Sequence, residues 1–199
     1  MRIGIFGGAF NPIHNGHLLL AEQCREQCQL DEVWFVPTRT PPHKTADNLS
    51  SGANRLEMIR LATAGIPAFR ASSIELEHNE VSWTVDTLRR VNEKRPDDEL
   101  FFMIGADSLH DLPTWREPES IAQLATIVAV NRGTQSEDLD QSLQVLSESI
   151  RSRIQLVSIP GVGISSTDIR QRIEQKKSIR YQVPRAIEQY IAEHGLYAT

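Results

Sequence analysis

The sequence predicts an α/β fold: a doubly wound, mostly parallel sheet with a small helical extension at the C-terminus. Three features of the 199-residue chain lead there. Short apolar runs recur along it, stretches of helical period separate them, and a glycine turn leads from the first run straight into a helix start. Strands alternating with amphipathic helices imply parallel pairing, with helices covering both faces of the sheet.

The strand-like runs are Arg2 to Phe6, Glu32 to Val36, Phe69 to Leu76, Glu99 to Ile104, Thr126 to Val130 and Ile154 to Ile159. The first helix has Asn15 as its expected cap, and its buried stripe is His17, Ala21, Cys24 and Cys28, spaced by three and four residues. Further helical patterns cover Asn54 to Ala64 and Val85 to Lys94. A stretch opening at Ser136 puts Leu139, Leu143, Leu146 and Ile150 on one face. Near the end, Pro184 suits a first helical turn, Ile187, Tyr190, Ile191 and His194 form a stripe, and Gly195 can stop the helix. The loop from Pro37 to Gly52 holds three prolines and is long for a compact domain, so a functional lid is expected there. No repeat or low-complexity tract breaks the pattern. One domain over residues 1–199 is expected, its helical C-terminal part running from about 165 to 199.

Composition narrows the classes. The chain has 21 basic and 26 acidic residues, a formal charge of -5, which argues against a general nucleic-acid or anionic-membrane surface. Any anion site must be local. Cys24 and Cys28 lie four apart on one helix, which is the pattern of small buried residues and not of a redox or zinc motif. With no leader-like or membrane-spanning apolar stretch, a reducing cytoplasm is the expected location.

The most informative string is Gly7-Gly8-Ala9-Phe10-Asn11-Pro12-Ile13-His14-Asn15-Gly16-His17. Two glycines let backbone amides approach a ligand, and both histidines fall at the positive end of a helix, where developing negative charge is favoured. Each part alone also reads as an ordinary tight turn or as core histidines, and no further cluster at ligand spacing completes a metal site. Ile164-Ser165-Ser166-Thr167-Asp168-Ile169-Arg170 is a second helix start, with Ser165 as cap; free hydroxyls on Ser166 and Thr167, first-turn amides and Arg170 could cradle a polyphosphate. Pro41-Pro42-His43-Lys44, Ser82-Trp83-Thr84-Val85-Asp86-Thr87-Leu88, Ile104-Gly105-Ala106-Asp107-Ser108 and Pro113-Thr114-Trp115 complete the set, each of which would pass alone as a turn or a capped helix. In an open α/β sheet, ligands bind beyond the carboxyl ends of the strands, where strand order reverses.

Taken in order, these strings resemble G-G-x-F-x-P-x-H-x-G-H, P-P-H-K, S-W/Y-T-x-x-T-L, I-G-A-D-S, P-x-W, I-S-S-T-x-I-R and a final G-L-Y. That is the pattern of the bacterial nicotinate mononucleotide adenylyltransferases, Rossmann-like enzymes of the H-x-G-H nucleotidyltransferase superfamily, and the match runs from Arg2 to Tyr197. The resemblance implies AMP transfer from ATP to nicotinate mononucleotide, giving deamido-NAD and pyrophosphate in NAD biosynthesis. It implies that Gly7, Gly8, Ala9, Phe10, His14, His17, Gly105, Asp107, Ser165, Ser166 and Arg170 hold ATP, with His14, His17, Lys44 and Arg170 serving catalysis. Lys44, Trp83, Thr84, Trp115 and Arg132 would face the pyridine nucleotide. Mg2+ is implied as a companion of the ATP phosphates, with no protein ligand assigned. ATP and nicotinate mononucleotide are the expected partners, without nucleic acid or membrane, and a homo-oligomer is left open.

Two positions depart from that pattern: Ala9 stands where threonine or serine is usual, and Asn11 where aspartate is usual. Thr38 replaces an asparagine of some members. Asparagine keeps the turn-forming ability of aspartate, so retained activity is expected. The alternatives are a pantetheine-phosphate or nicotinamide mononucleotide adenylyltransferase and, outside the enzymes, a non-catalytic nucleotide sensor. A NAD-dependent dehydrogenase is disfavoured, because Gly4, Gly7 and Gly8 lack the G-x-G-x-x-G spacing.

Overall fold

The computed structural model describes residues 1–39, 49–77, 81–131 and 141–198. Strand β1 (Arg2–Gly8) leads through a short loop into helix α1 (Asn15–Gln27), then β2 (Glu32–Pro37). Next come α2 (Gly52–Thr63), β3 (Phe69–Ala71), α3 (Thr84–Lys94) and β4 (Glu99–Gly105). Two single 3-10 turns, Ala106–Leu109 and Leu112–Thr114, precede α4 (Pro118–Leu124) and β5 (Thr126–Asn131). The chain closes with α5 (Glu148–Arg151), β6 (Ile154–Ser158), α6 (Ser166–Glu174) and α7 (Arg185–Glu193).

Among the described residues, the strands form one sheet in the order β3-β2-β1-β4-β5-β6. Every pairing is parallel, for example Ile5 opposite Trp34 on one side and Phe102 on the other. The order reverses between β1 and β4, which opens a crevice beyond their carboxyl ends. Period-two alternation explains the two cores. Phe6, Val33, Phe35, Phe101, Met103 and Val128 point to one face, under α1, α2, α6 and α7. Ile3, Ile5, Phe102, Ile104, Ile127 and Ala129 point to the other, under α3, α4 and α5. The expected doubly wound sheet is the one found. Among the described residues, no helix is long and apolar enough to cross a membrane.

Several expectations need correction. The third strand ends at Ala71 and not Leu76, because the chain turns at Ser73, where the Leu76 amide donates to the Ser73 carbonyl at 2.7 Å. The stretch expected to run as one helix from Ser136 is interrupted: residues 141–144 are helical, and α5 starts only after Ser147, with Leu146 and Ile150 both buried. Residues 136–140 of that expectation, with Leu139, lie outside the described residues, as does most of the loop expected as a lid. Pro184, expected in a first helical turn, stands directly before it as the cap of α7. His14, not Asn15, caps α1, because the Asn15 amide donates to the Gln182 carbonyl at 2.9 Å and Asn15 begins the helix.

Candidate active site

The crevice is a cavity of about 780 Å³ at the carboxyl ends of β1 and β4, a size that suits a nucleotide. Gly7, Gly8, Phe10, His14 and His17 line one side with Ser165 and Ser166, while Trp83, Thr84, Gly105 and Trp115 line the rest. Eleven residues expected from sequence therefore meet in one place. Ala9, Asp107 and Arg170 are not among its lining residues. Lys44 and Arg132 lie outside the described residues.

The loop between β1 and α1 works differently from the glycine turn expected. Gly7 and Gly8 remain in the strand, and the left-handed residue is Phe10, with φ of 45°. A Cβ on Gly8 would stand 3.2 Å from the Phe10 ring and press on it, so the absence of a side chain there serves that close approach and not a turn. The Phe10 ring, 2% exposed, meets Phe6 edge-on with centroids 5.3 Å apart and His17 at 5.0 Å. Phe10 is thus the buried support under His17.

The two histidines lock each other. Their rings stack with centroids 3.6 Å apart, and the His14 amide donates to His17 Nδ1 at 3.2 Å. With Nδ1 accepting, a neutral His17 ring carries its proton on Nε2. Gly16 leaves room for the stack, since a Cβ there would sit 3.1 Å from His14 Nδ1 and press on that ring. The spacing H-x-G-H thus has a steric cause at its middle residue.

Asn11 ties this loop to the rest of the fold. Its Oδ1 accepts from the Ser50 amide at 3.1 Å and the Tyr197 hydroxyl at 2.8 Å, and its carbonyl accepts from Arg170 Nη1 at 2.8 Å. Burial pushes the Tyr197 phenol up to about 12, so it stays a donor at neutral pH. Arg55, 1% exposed, donates to the carbonyls of Ala9 at 2.9 Å, Thr38 at 2.8 Å and Ser50 at 2.9 Å. Burial lowers its pKa, with Tyr197 and Glu75 opposing that shift. Ser165 caps α6 as expected, accepting from the Asp168 amide at 3.1 Å. The Ser166 hydroxyl is not free as expected: it donates to the Pro12 carbonyl at 2.9 Å, which fastens α6 to the histidine loop. Thr167 Oγ1 likewise accepts from Arg170 Nη2 at 3.3 Å.

On the opposite side, Trp115 meets Phe102 edge-on at 6.1 Å, and both tryptophans pack partly buried on the second core. Trp83, not Ser82, is the cap residue of α3, because Ser82 Oγ already accepts from the Arg39 amide at 3.3 Å. Nearby, the Thr87 hydroxyl donates to Glu75 at 2.7 Å. Burial raises the Glu75 carboxyl above its usual range, against the hydroxyls of Thr87 and Ser82 and the Arg39 backbone, which lower it.

Arg55 and Glu75 were not expected from sequence. Arginine in a helix usually lies on the exposed face, and a glutamate in an apolar run carries no motif. The Asn11 departure was visible, but among the described residues it is joined to residues 50, 170 and 197, which no local pattern connects.

Comparison with known proteins gives the family. The family model Cytidylyltransferase-like matches residues 5–172. A Thermus thermophilus protein named "Probable nicotinate-nucleotide adenylyltransferase" is 47% identical over 198 residues, covering 99% of this chain and 100% of its own. A protein of the same name from Thermomicrobium roseum is 44% identical, covering 100% of this chain and 92% of its own. Among solved structures, Plasmodium falciparum nicotinic acid mononucleotide adenylyltransferase complexed with NaAD superposes with a TM-score of 0.80 at 22% identity, covering 98% of this chain and 97% of that one, and at that identity it speaks for the fold. With a parallel sheet reversing at the cleft and full-length identity above 40% to such relatives, this chain is a nucleotidyltransferase of the cytidylyltransferase-like family and belongs to its nicotinate-nucleotide adenylyltransferases.

Proposed function

We propose that this enzyme transfers AMP from ATP to the phosphate of nicotinate mononucleotide, forming deamido-NAD and releasing pyrophosphate. The observation that carries the reading is the stacked pair His14 and His17 at the start of α1, in one cleft with Trp83 and Trp115. The first pair suits phosphate oxygens, and the second suits a flat heteroaromatic ring.

The acceptor is a phosphate monoester with a second pKa of about 6, so at neutral pH its oxygen needs no general base. That oxygen bonds to the α-phosphorus while the bond from the α-phosphorus to the bridging oxygen breaks, and pyrophosphate leaves with the electron pair. The protein's task is to hold two anions in line and to offset charge on the departing oxygens. When Nδ1 accepts from the His14 amide the His17 proton is on Nε2, and this N–H is assigned to that task together with His14 and Lys44. The ATP side is assigned to Gly7, Gly8, Ala9, Phe10, Gly105, Asp107, Ser165 and Ser166. Arg170 donates to the Asn11 carbonyl, so its first role is to brace the histidine loop. Trp83, Thr84, Trp115, Lys44 and Arg132 are assigned to the pyridine nucleotide. Family members generally use a divalent metal; Mg2+, bound through the ATP phosphates and its own waters, would offset triphosphate charge here. A reducing cytoplasm suits the free buried thiols Cys24 and Cys28, the first pushed up to about 12 by burial.

Incubation with ATP, magnesium and each candidate acceptor, following pyrophosphate, tests the reading. Nicotinate mononucleotide should give at least about tenfold higher kcat/KM than nicotinamide mononucleotide, the factor that about 1.4 kcal/mol supplies. Phosphopantetheine should give none. Pyrophosphate from no acceptor would make the chain a nucleotide-binding protein.

A further inference from the structure

Among the described residues lining the cleft, Arg116 is a cation that the proposed chemistry leaves unused. Arg116 lines the cavity directly after Trp115, and its Cζ lies 5.7 Å from the centre of the Trp83 ring. Its guanidinium reaches Asp86 at 3.5 Å and Glu117 at 3.8 Å, separations of loose ion pairs on a half-exposed side chain. Asp86 sits in the first turn of α3, two residues past Thr84, and is shared with Arg89 at 3.5 Å. Arg89 also pairs with Glu117, which holds a left-handed φ of 52°, an uncommon conformation for a non-glycine residue that its neighbours must sustain.

Two arginines thus face two carboxylates at the rim beside both tryptophans. Without Arg116, Asp86 would set excess negative charge next to Thr84 and repel an acidic ring substituent. With it, that charge is offset, and a planar cation lies over one of the two aromatic surfaces. Its long contacts leave the guanidinium able to turn toward a second anion, which a neutral amide cannot provide.

We propose that Arg116 is a specificity-determining residue, whose charge selects an acceptor carrying a ring carboxylate over one carrying the amide. The inference rests on the reading that the Trp83 and Trp115 wall takes the acceptor. The guanidinium is half exposed, so its contribution is modest and salt-sensitive.

The test is kcat/KM for nicotinate mononucleotide and nicotinamide mononucleotide, with saturating ATP, in the parent, Arg116→Gln, Arg116→Lys and Asp86→Asn. Arg116→Gln should shrink the preference for the acid by about three- to tenfold, through the acid alone, as expected for one partly screened charge. Arg116→Lys should keep most of the preference, and Asp86→Asn should enlarge it. Raising ionic strength should narrow the gap between parent and Arg116→Gln. An equal loss with both acceptors in Arg116→Gln would make the residue a packing support of Trp83 and overturn the proposal. So would an unchanged ratio, or a loss in Arg116→Lys as large as in Arg116→Gln. Should Arg116→Gln fail to fold, Asp86→Asn and the salt dependence of the parent carry the test: a preference indifferent to both overturns the proposal. A parent that uses neither acceptor, or that prefers the amide, refutes instead the reading beneath it.

Discussion

On the histidine side of the cleft, the loop from Ala9 to His14 is fastened by donors aimed at backbone oxygens, one buried and two half-buried: Arg55 to Ala9, Arg170 to Asn11 and Ser166 to Pro12. On the tryptophan side, the wall rests on edge-on aromatic packing and on the ion pairs of Arg89 and Arg116, which are 41% and 50% exposed. The first wall is therefore the costlier to move, because moving it deserts the buried Arg55 and the half-buried Arg170 and Ser166 at once. The second can adjust a side chain at small cost, since water replaces what an exposed ion pair loses. Phosphoryl transfer needs the first property at the reacting phosphorus, and choosing between acceptors suits the second.

The sharpest way to break this comparison is to remove the buried cation. Arg55→Met keeps volume but deserts three carbonyls, and should lower stability by about 2 to 4 kcal/mol, read as a denaturant midpoint shift at unchanged slope. Arg116→Gln should stay within about 0.5 kcal/mol of the parent in the same experiment. Equal shifts in the two variants would mean that the walls do not differ in the way described.

Of comparable size is His17→Ala, which removes a positioned donor without opening the core network beneath it. Turnover at saturating ATP should fall by about a hundred- to thousandfold, or roughly 2.7 to 4 kcal/mol, with the fold retained by circular dichroism. Near-parental turnover in a folded variant would take the chemistry away from the histidine wall.

The smallest effect concerns Glu75, which anchors Thr87 behind the tryptophan wall. Burial raises its folded-state pKa above 4.5, the value near which the unfolded chain ionises. Between those two values the native state holds more protons than the unfolded state, so this group's contribution to stability falls as pH rises through that window. Glu75→Gln should therefore gain stability relative to the parent as pH climbs above about 4.5, by about 1 kcal/mol for each unit of upward shift. A stability difference that stays flat across that window would mean that the carboxyl keeps its ordinary pKa behind this wall.

How much of this was legible follows from the range of the interactions. The doubly wound sheet was readable because burial on both faces leaves strand and helix periods in the local order of apolar residues. His14, Gly16 and His17 were readable as a unit because they interact within one helical turn. The third strand was overextended because Ile74 and Glu75 are buried in a turn, and burial alone looks like strand. Ser166 was expected to offer its hydroxyl to a ligand, yet its partner, Pro12, lies 154 positions away.

By itself, the sequence determined the alternation of elements, the place of His14 and His17 at a helix start, and the family of the chain, each carried by short strings of residues near one another along the backbone. Only the tertiary structure decided that Phe10 and not Gly8 takes the left-handed turn. Only it placed Arg55 inward under the loop, joined Asn11 to Ser50, Arg170 and Tyr197, and set Arg116 over Trp83. The physical reason is that a polar side chain can be buried only where partners exist for its hydrogen bonds, and here those partners come from distant segments that meet when the sheet closes its order around β1 and β4.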